Sequence, residues 1–108
     1  MINADKANIN SNQKVKVAII DSGVDAISGI KVKERINLVD DKEDNLLFFE
    51  DYSGHGTSVA GIIAGSNGEN NVEGINPNVE LYSAKVLDDN NVAPISRVIE
   101  GIYWAIEQ

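Results

Sequence analysis

Val15-Lys16-Val17-Ala18-Ile19-Ile20-Asp21-Ser22-Gly23 is the stretch whose reading decides the fold. Apolar and β-branched residues dominate it up to Ile20, the composition of a strand covered on its faces. Asp-Ser-Gly then supplies turn chemistry, so the pattern predicts a strand that carries Asp21 at its carboxyl end.

Outward from that strand, residues 1–13 form a polar, Asn-rich arm without an apolar period, and one domain over residues 14–108 follows. Residues 35–39 and 46–49 are short apolar stretches on either side of an acidic run, and each is a candidate strand. Residues 57–65 are crowded with small side chains (Ala60, Gly61, Ala64, Gly65), which suits a buried helix packed closely on all sides. Residues 66–71 read as a polar loop, 74–78 as a turn, 80–87 as a second sheet strand and 88–93 as a further loop. From Ile95 onward, Ile95, Val98, Ile99, Ile102, Ala105 and Ile106 share one helical face, with Pro94 or Ser96 near the start. Trp104 points away from that face, beside Arg97 and Gln108, and an exposed indole so near the last residue predicts further protein against it. Strand and helix alternate, so the expected class is α/β: a parallel β-sheet with helices on both faces and right-handed crossovers, incomplete within this chain.

With 108 residues and 43% apolar content, the chain has the size of one small domain. Nine basic against 17 acidic residues give a formal charge of −8, which disfavours nucleic acid and anionic lipid as partners. The acidic run over residues 40–44, with Glu50 and Asp51 behind it, reads as a solvated loop. There is no cysteine for a disulfide or a thiolate metal site, and no apolar run reaches the ~18 residues of a membrane span.

The chemistry concentrates in Ile19-Ile20-Asp21-Ser22-Gly23-Val24-Asp25 and Gly54-His55-Gly56-Thr57-Ser58-Val59-Ala60-Gly61. His55 is the only histidine, which excludes a multi-histidine zinc site and makes it the one candidate general base. Flanking glycines let the backbone turn sharply there, and the following helix would bring its positive end near the imidazole. A base so placed needs a carboxylate on its other ring nitrogen to fix the tautomer, and Asp21 is the supplier, with a further hydrogen bond from Ser22.

Ile20-Asp21-Ser22-Gly23 resembles the aspartate motif of the subtilases, and Gly54-His55-Gly56-Thr57-Ser58-Val59-Ala60-Gly61 resembles their histidine motif. The similarity continues through Gly74-Ile75-Asn76-Pro77, residues 81–87 and Gly101-Ile102-Tyr103-Trp104-Ala105-Ile106, and so covers the chain from about Val15. The resemblance implies a serine endopeptidase in which Asp21 orients His55 and His55 takes the proton of a serine nucleophile. The oxyanion asparagine and the serine motif of that family do not occur in this chain; the expectation is that the missing part, as a continuation or a second chain, carries them, and that this chain alone is inactive. Gly56-Thr57-Ser58-Val59-Ala60 imitates the serine motif, but Ser58 lies in the first turn after His55, where its hydroxyl is expected to bond the local backbone.

In the subtilase pattern the segment after the second sheet strand is an edge along which an extended peptide or protein substrate adds, which here assigns substrate binding to Asn91, Val92 and Ala93. Many subtilases also hold calcium by a loop after the histidine helix. Here residues 66–71 offer oxygen ligands, but Ser28-Gly29-Ile30 stands where a helping aspartate is expected, and no cofactor is otherwise implied. The Asn-rich arm and Tyr82-Ser83-Ala84-Lys85 are similar to bacterial subtilases that remove lantibiotic leader peptides, which implies a secreted or surface enzyme. The rival reading is a noncatalytic module that offers the residue 91–93 edge to a peptide or partner.

Overall fold

The computed structural model describes residues 14–27, 29–39, 50–66 and 74–108. Three strands, β1 (Lys16–Asp21), β2 (Val32–Asn37) and β3 (Glu80–Lys85), and two helices, α1 (His55–Ala64) and α2 (Ile95–Ile106), follow in the order β1, β2, α1, β3, α2. The strands form one parallel sheet in the order β1-β3-β2. The expected α/β class with a parallel sheet is therefore what forms. The arm over residues 1–13 and the strand expected over 46–49 lie outside the described residues.

β3 runs down the middle and its residues from Leu81 to Lys85 are buried, as a central strand with a neighbour on each side requires. β2 begins earlier than the apolar stretch 35–39 suggested. Lys33, Glu34 and Arg35 are tolerated because β2 is an edge strand among the described residues, and its register slips between Val32 and Glu34. β3 ends at Lys85, two residues before the expected limit, because the amides of Val86 and Leu87 both turn to the Asp21 carbonyl, at 2.8 and 3.1 Å.

Side chains alternate across each strand, so the sheet presents two different faces. Ile19 and Leu81 pack with Val24, Ala60 and Ala64 beneath α1, with Val17 and Val59 around them. Ile20, Ala84 and Val86 point to the other face, where Gly101 of α2 comes so close that a β-carbon on it would stand 2.8 Å from Val86 Cγ1 and 3.1 Å from Ile20 Cγ2. The helices thus cover opposite faces.

α2 sits on the sheet in an orientation that differs from its apolar stripe. Gly101 is buried, Trp104 is half-buried with its ring edge-on to Tyr82 at 6.4 Å, and Ile95, Ile99, Ile102 and Ile106 are exposed. The expected outward-facing indole is corrected: the smallest residue of the helix sets its closest approach to the sheet, and Trp104, one turn from Gly101, is carried inward with it. At the far end of α1, the amides of Gly74, Ile75 and Asn76 bond the carbonyls of Gly65, Ile62 and Ile63, satisfying acceptors that a helix end leaves open.

Candidate active site

β1 ends at Asp21, and the sheet holds that end from the main chain. The carbonyl of Asp21 accepts from Val86 and Leu87, while the amide of Ser22 donates to Asp21 Oδ1 at 2.7 Å. The carboxylate is left with one orientation and a 13% exposed side chain.

His55 approaches it as the first residue of α1. Gly54, the residue before the helix, has φ 81°, a left-handed conformation that favours glycine, and it turns the incoming chain into the helix axis. One residue after His55, Gly56 is pressed against the segment after β1, and its amide donates to Ser22 Oγ at 2.9 Å. The result is a contact between His55 Nδ1 and both carboxylate oxygens of Asp21, at 2.9 and 2.8 Å. A carboxylate only accepts, so Nδ1 carries the hydrogen, and in the neutral ring Nε2 keeps a lone pair. The imidazole is 61% exposed, so Nε2 faces outward from a ring whose inner nitrogen is fixed. Such a ring can take a proton from a donor brought to it from outside and can be held while it carries the charge.

Asp51, which the acidic run disguised as a solvated residue, is 6% exposed and is the hub of the site. Its Oδ1 accepts from Ser22 Oγ at 2.7 Å, from the Gly54 amide at 2.9 Å and from Ser53 Oγ at 3.3 Å, and its Oδ2 accepts from the Thr57 amide at 2.8 Å. Its own amide donates to Asp25 Oδ1 at 2.7 Å, and the Asp25 amide donates to Thr57 Oγ1 at 3.0 Å. Burial opposes the negative charge of Asp51, but hydrogen bonds from the Thr57 and Ser22 side chains and from the Thr57 and Gly54 backbone outweigh it and hold the carboxyl below its usual range. Ser22 therefore reaches Asp21 through its amide, and its hydroxyl serves Asp51 instead. The signal for Asp51 was present: an acidic residue just ahead of a helix start is capping chemistry.

Lys85, 5% exposed at the end of β3, donates to the Glu50 carbonyl and lies 5.2 Å from the Tyr52 ring centre, so the approach to Asp51 is also pinned from the sheet. Ser58 is exposed in the first turn of α1, and its hydroxyl makes no hydrogen bond to the backbone among the described residues, contrary to expectation.

Asn91, Val92 and Ala93 lie in the loop after β3, Asn91 and Val92 exposed and Ala93 half-buried. Asp88 organises this loop: its Oδ1 accepts from the amides of Asn90 and Val92 at 2.9 and 3.0 Å, and its amide donates to the Val92 carbonyl at 3.0 Å. Asn91 adopts φ 61° at the tip. Both main-chain groups of Val92 are thereby engaged within the loop. The segment is a tight turn rather than a regular strand, and no hydrogen bond joins it to Asp21 or His55 among the described residues.

The loop expected to hold calcium lies, past Ser66, outside the described residues. No cluster of three or more His, Cys, Asp or Glu side chains suited to a metal ion occurs among the described residues, and no helix there is long and apolar enough to cross a membrane.

Residues 12–108 match the family model of the subtilase family, Peptidase_S8. Among curated relatives, the chain is 45% identical over 98 residues to an intracellular serine protease of Paenibacillus polymyxa, covering 87% of this chain and 30% of that protein. It is 39% identical over 97 residues to subtilisin E of Bacillus subtilis, covering 89% of this chain and 25% of that protein. Over 91 residues it is 34% identical to a thermostable alkaline protease of Halalkalibacterium halodurans, covering 84% and 24%. The chain thus spans less than a third of the length of these relatives.

Proposed function

Because this chain belongs to the subtilase family, we propose that it supplies the aspartate and histidine of a serine endopeptidase whose serine lies in protein beyond it. The observation that carries the reading is the His55 Nδ1 contact with both oxygens of Asp21, made by a ring that remains largely open to solvent. In the proposed reaction Nε2 of His55 takes the serine hydroxyl proton as the oxygen attacks the peptide carbonyl. His55 then gives that proton to the departing amine, leaving an acyl-enzyme. A water attacks the ester in the second half, again with His55 as base, and the acid product leaves as the serine regains its proton. Throughout, Asp21 accepts from Nδ1 and stabilises the imidazolium without taking its proton.

The substrate is a peptide or protein, and Asn91, Val92 and Ala93 are the residues that would meet it upstream of the cleaved bond. With both main-chain groups of Val92 and the amide of Asn91 engaged by Asp88, the main-chain groups offered to it are the Asn91 carbonyl and those of Ala93. A narrower reading makes the substrate a lantibiotic precursor cut after its leader, outside the cell or at its surface. A leader-bearing precursor is then cleaved much faster than a generic unfolded protein, and equal rates would remove that reading.

The test of the general reading is fluorophosphonate labelling followed by intact mass measurement. Label on a serine outside this chain, lost when His55 is replaced by Ala, is the expected result. Label on Ser58, or label that persists in His55→Ala, would overturn it. Asp21→Asn should retain the fold and lower kcat by roughly four orders of magnitude, because the wrong tautomer then faces the serine.

A further inference from the structure

His55 is not held by Asp21 alone. The amides of the two residues that flank it end on one polar unit: the Gly54 amide on Asp51 Oδ1, and the Gly56 amide on Ser22 Oγ, which itself donates to the same Asp51 oxygen. Ser22 is covalently joined to Asp21 and donates its amide to Asp21 Oδ1. The second oxygen of Asp51 takes the Thr57 amide, fixing the first turn of α1 that His55 begins. Both halves of the Asp21–His55 contact are therefore referred to one buried carboxylate, 6% exposed, whose hydrogen bonds do not include the imidazole.

We propose that Asp51 is a positioning residue for the proposed peptidase reaction, setting the His55 ring against Asp21 through Ser22 and the amides of Gly54 and Thr57. The inference rests on the function proposed above. Its chemistry is that of an acceptor array. A carboxylate presents only acceptors to these three donors, the Ser22 hydroxyl and the Gly54 and Thr57 amides, whereas an amide in its place must turn an NH2 group towards at least one of them and push it away. The displaced donors belong to the backbone on either side of His55 and to the residue next to Asp21. Movement of a few tenths of an ångström there spoils the two short contacts at Nδ1 without removing any group that binds peptide.

Two readouts in the full-length protein test this. For Asp51→Asn, kcat on a peptide substrate should fall roughly 10- to 100-fold with KM changed less than about twofold, in a variant that still unfolds cooperatively. The downfield Nδ1 proton resonance of His55, identified by its absence in His55→Ala, should broaden or move upfield. Ser22→Ala, which removes the link but leaves the carboxylate, should lower kcat severalfold and perturb the same resonance, and it decides the matter if Asp51→Asn does not fold. A folded Asp51→Asn or Ser22→Ala with wild-type kcat and an unchanged His55 resonance would overturn the proposal. The resonance is read without turnover. Absence of wild-type hydrolysis with an Nδ1 signal sensitive to Asp51 would therefore sink the peptidase reading while leaving the positioning relationship standing.

Discussion

Gly56 lies so close to Gly23 that a β-carbon on Gly56 would stand 2.1 Å from the Gly23 carbonyl oxygen. The obstacle is backbone, which cannot rotate out of the way as a side-chain end can. This contact lets the first turn of the His55 helix rest directly on the segment that leaves the Asp21 strand.

Gly56→Ala is accordingly expected to lower stability by about 3 kcal/mol or more, the upper range for overpacking a tight interior, and to separate His55 from Asp21. Urea unfolding measures the first effect and the His55 Nδ1 proton resonance the second. A neutral Gly56→Ala would mean that the two segments are not in contact in solution.

Stability should depend on acid through Asp51. Its folded carboxyl binds a proton less readily than the unfolded one, because its hydrogen bonds outweigh the burial that opposes its charge. The contribution is complete above the unfolded value of about 3.9 and is lost as pH falls through the lower folded value. Melting temperatures taken from neutral pH to pH 2 should therefore drop on the acid side in the wild type, and less steeply in Asp51→Asn, whose melting temperature starts lower. Parallel curves for the two proteins would contradict this.

Gly101 and Val86 should be energetically coupled. Alanine at position 101 gains about 1 kcal/mol of helix propensity but places a methyl group 2.8 Å from Val86 Cγ1, which is buried and has no room to retreat. Gly101→Ala is expected to destabilise by about 1 kcal/mol net, and Val86→Ala to cost less in that background than in the wild type. A double-mutant cycle with no coupling energy would show that α2 is not seated on Val86.

Chelation should leave the melting temperature unchanged. Residues 66–71 contain one carboxylate, Glu69, and Ser28-Gly29-Ile30 contributes none, while calcium prefers a cage of several carboxylate or carbonyl oxygens. A fall of several degrees on adding a chelator, reversed by calcium, would assign a calcium site to this chain.

The sequence made the ends of the elements that carry Asp21 and His55 legible because each is marked by a change of composition. The apolar run into Asp21 announces a covered strand, and Gly-His-Gly announces a helix entrance. What it concealed were relationships between segments. Asp51 looks like one more charge at the end of an acidic run, and only the fold shows that the turn after β1 bends back over it and makes it a shared acceptor. Ser22 was read as a partner of the residue beside it, although its hydroxyl points to a residue 29 positions away. The periodicity of α2 predicted the helix but not its seat, since the apolar stripe is wider than the contact and Gly101 chose the contact. β2 was placed late because an edge strand carries charges that an apolar count passes over.

The single carbonyl of Asp21 accepts from both Val86 and Leu87 and so joins two stretches of chain at one atom. The strand end that aims the carboxylate and the chain that goes on to form the Asp88 loop share one fastening. A displacement of Asn91 is transmitted, within four or five residues, to the main chain of Asp21. The position of the Asp88 loop and the set of the carboxylate are thereby geared to each other through the backbone.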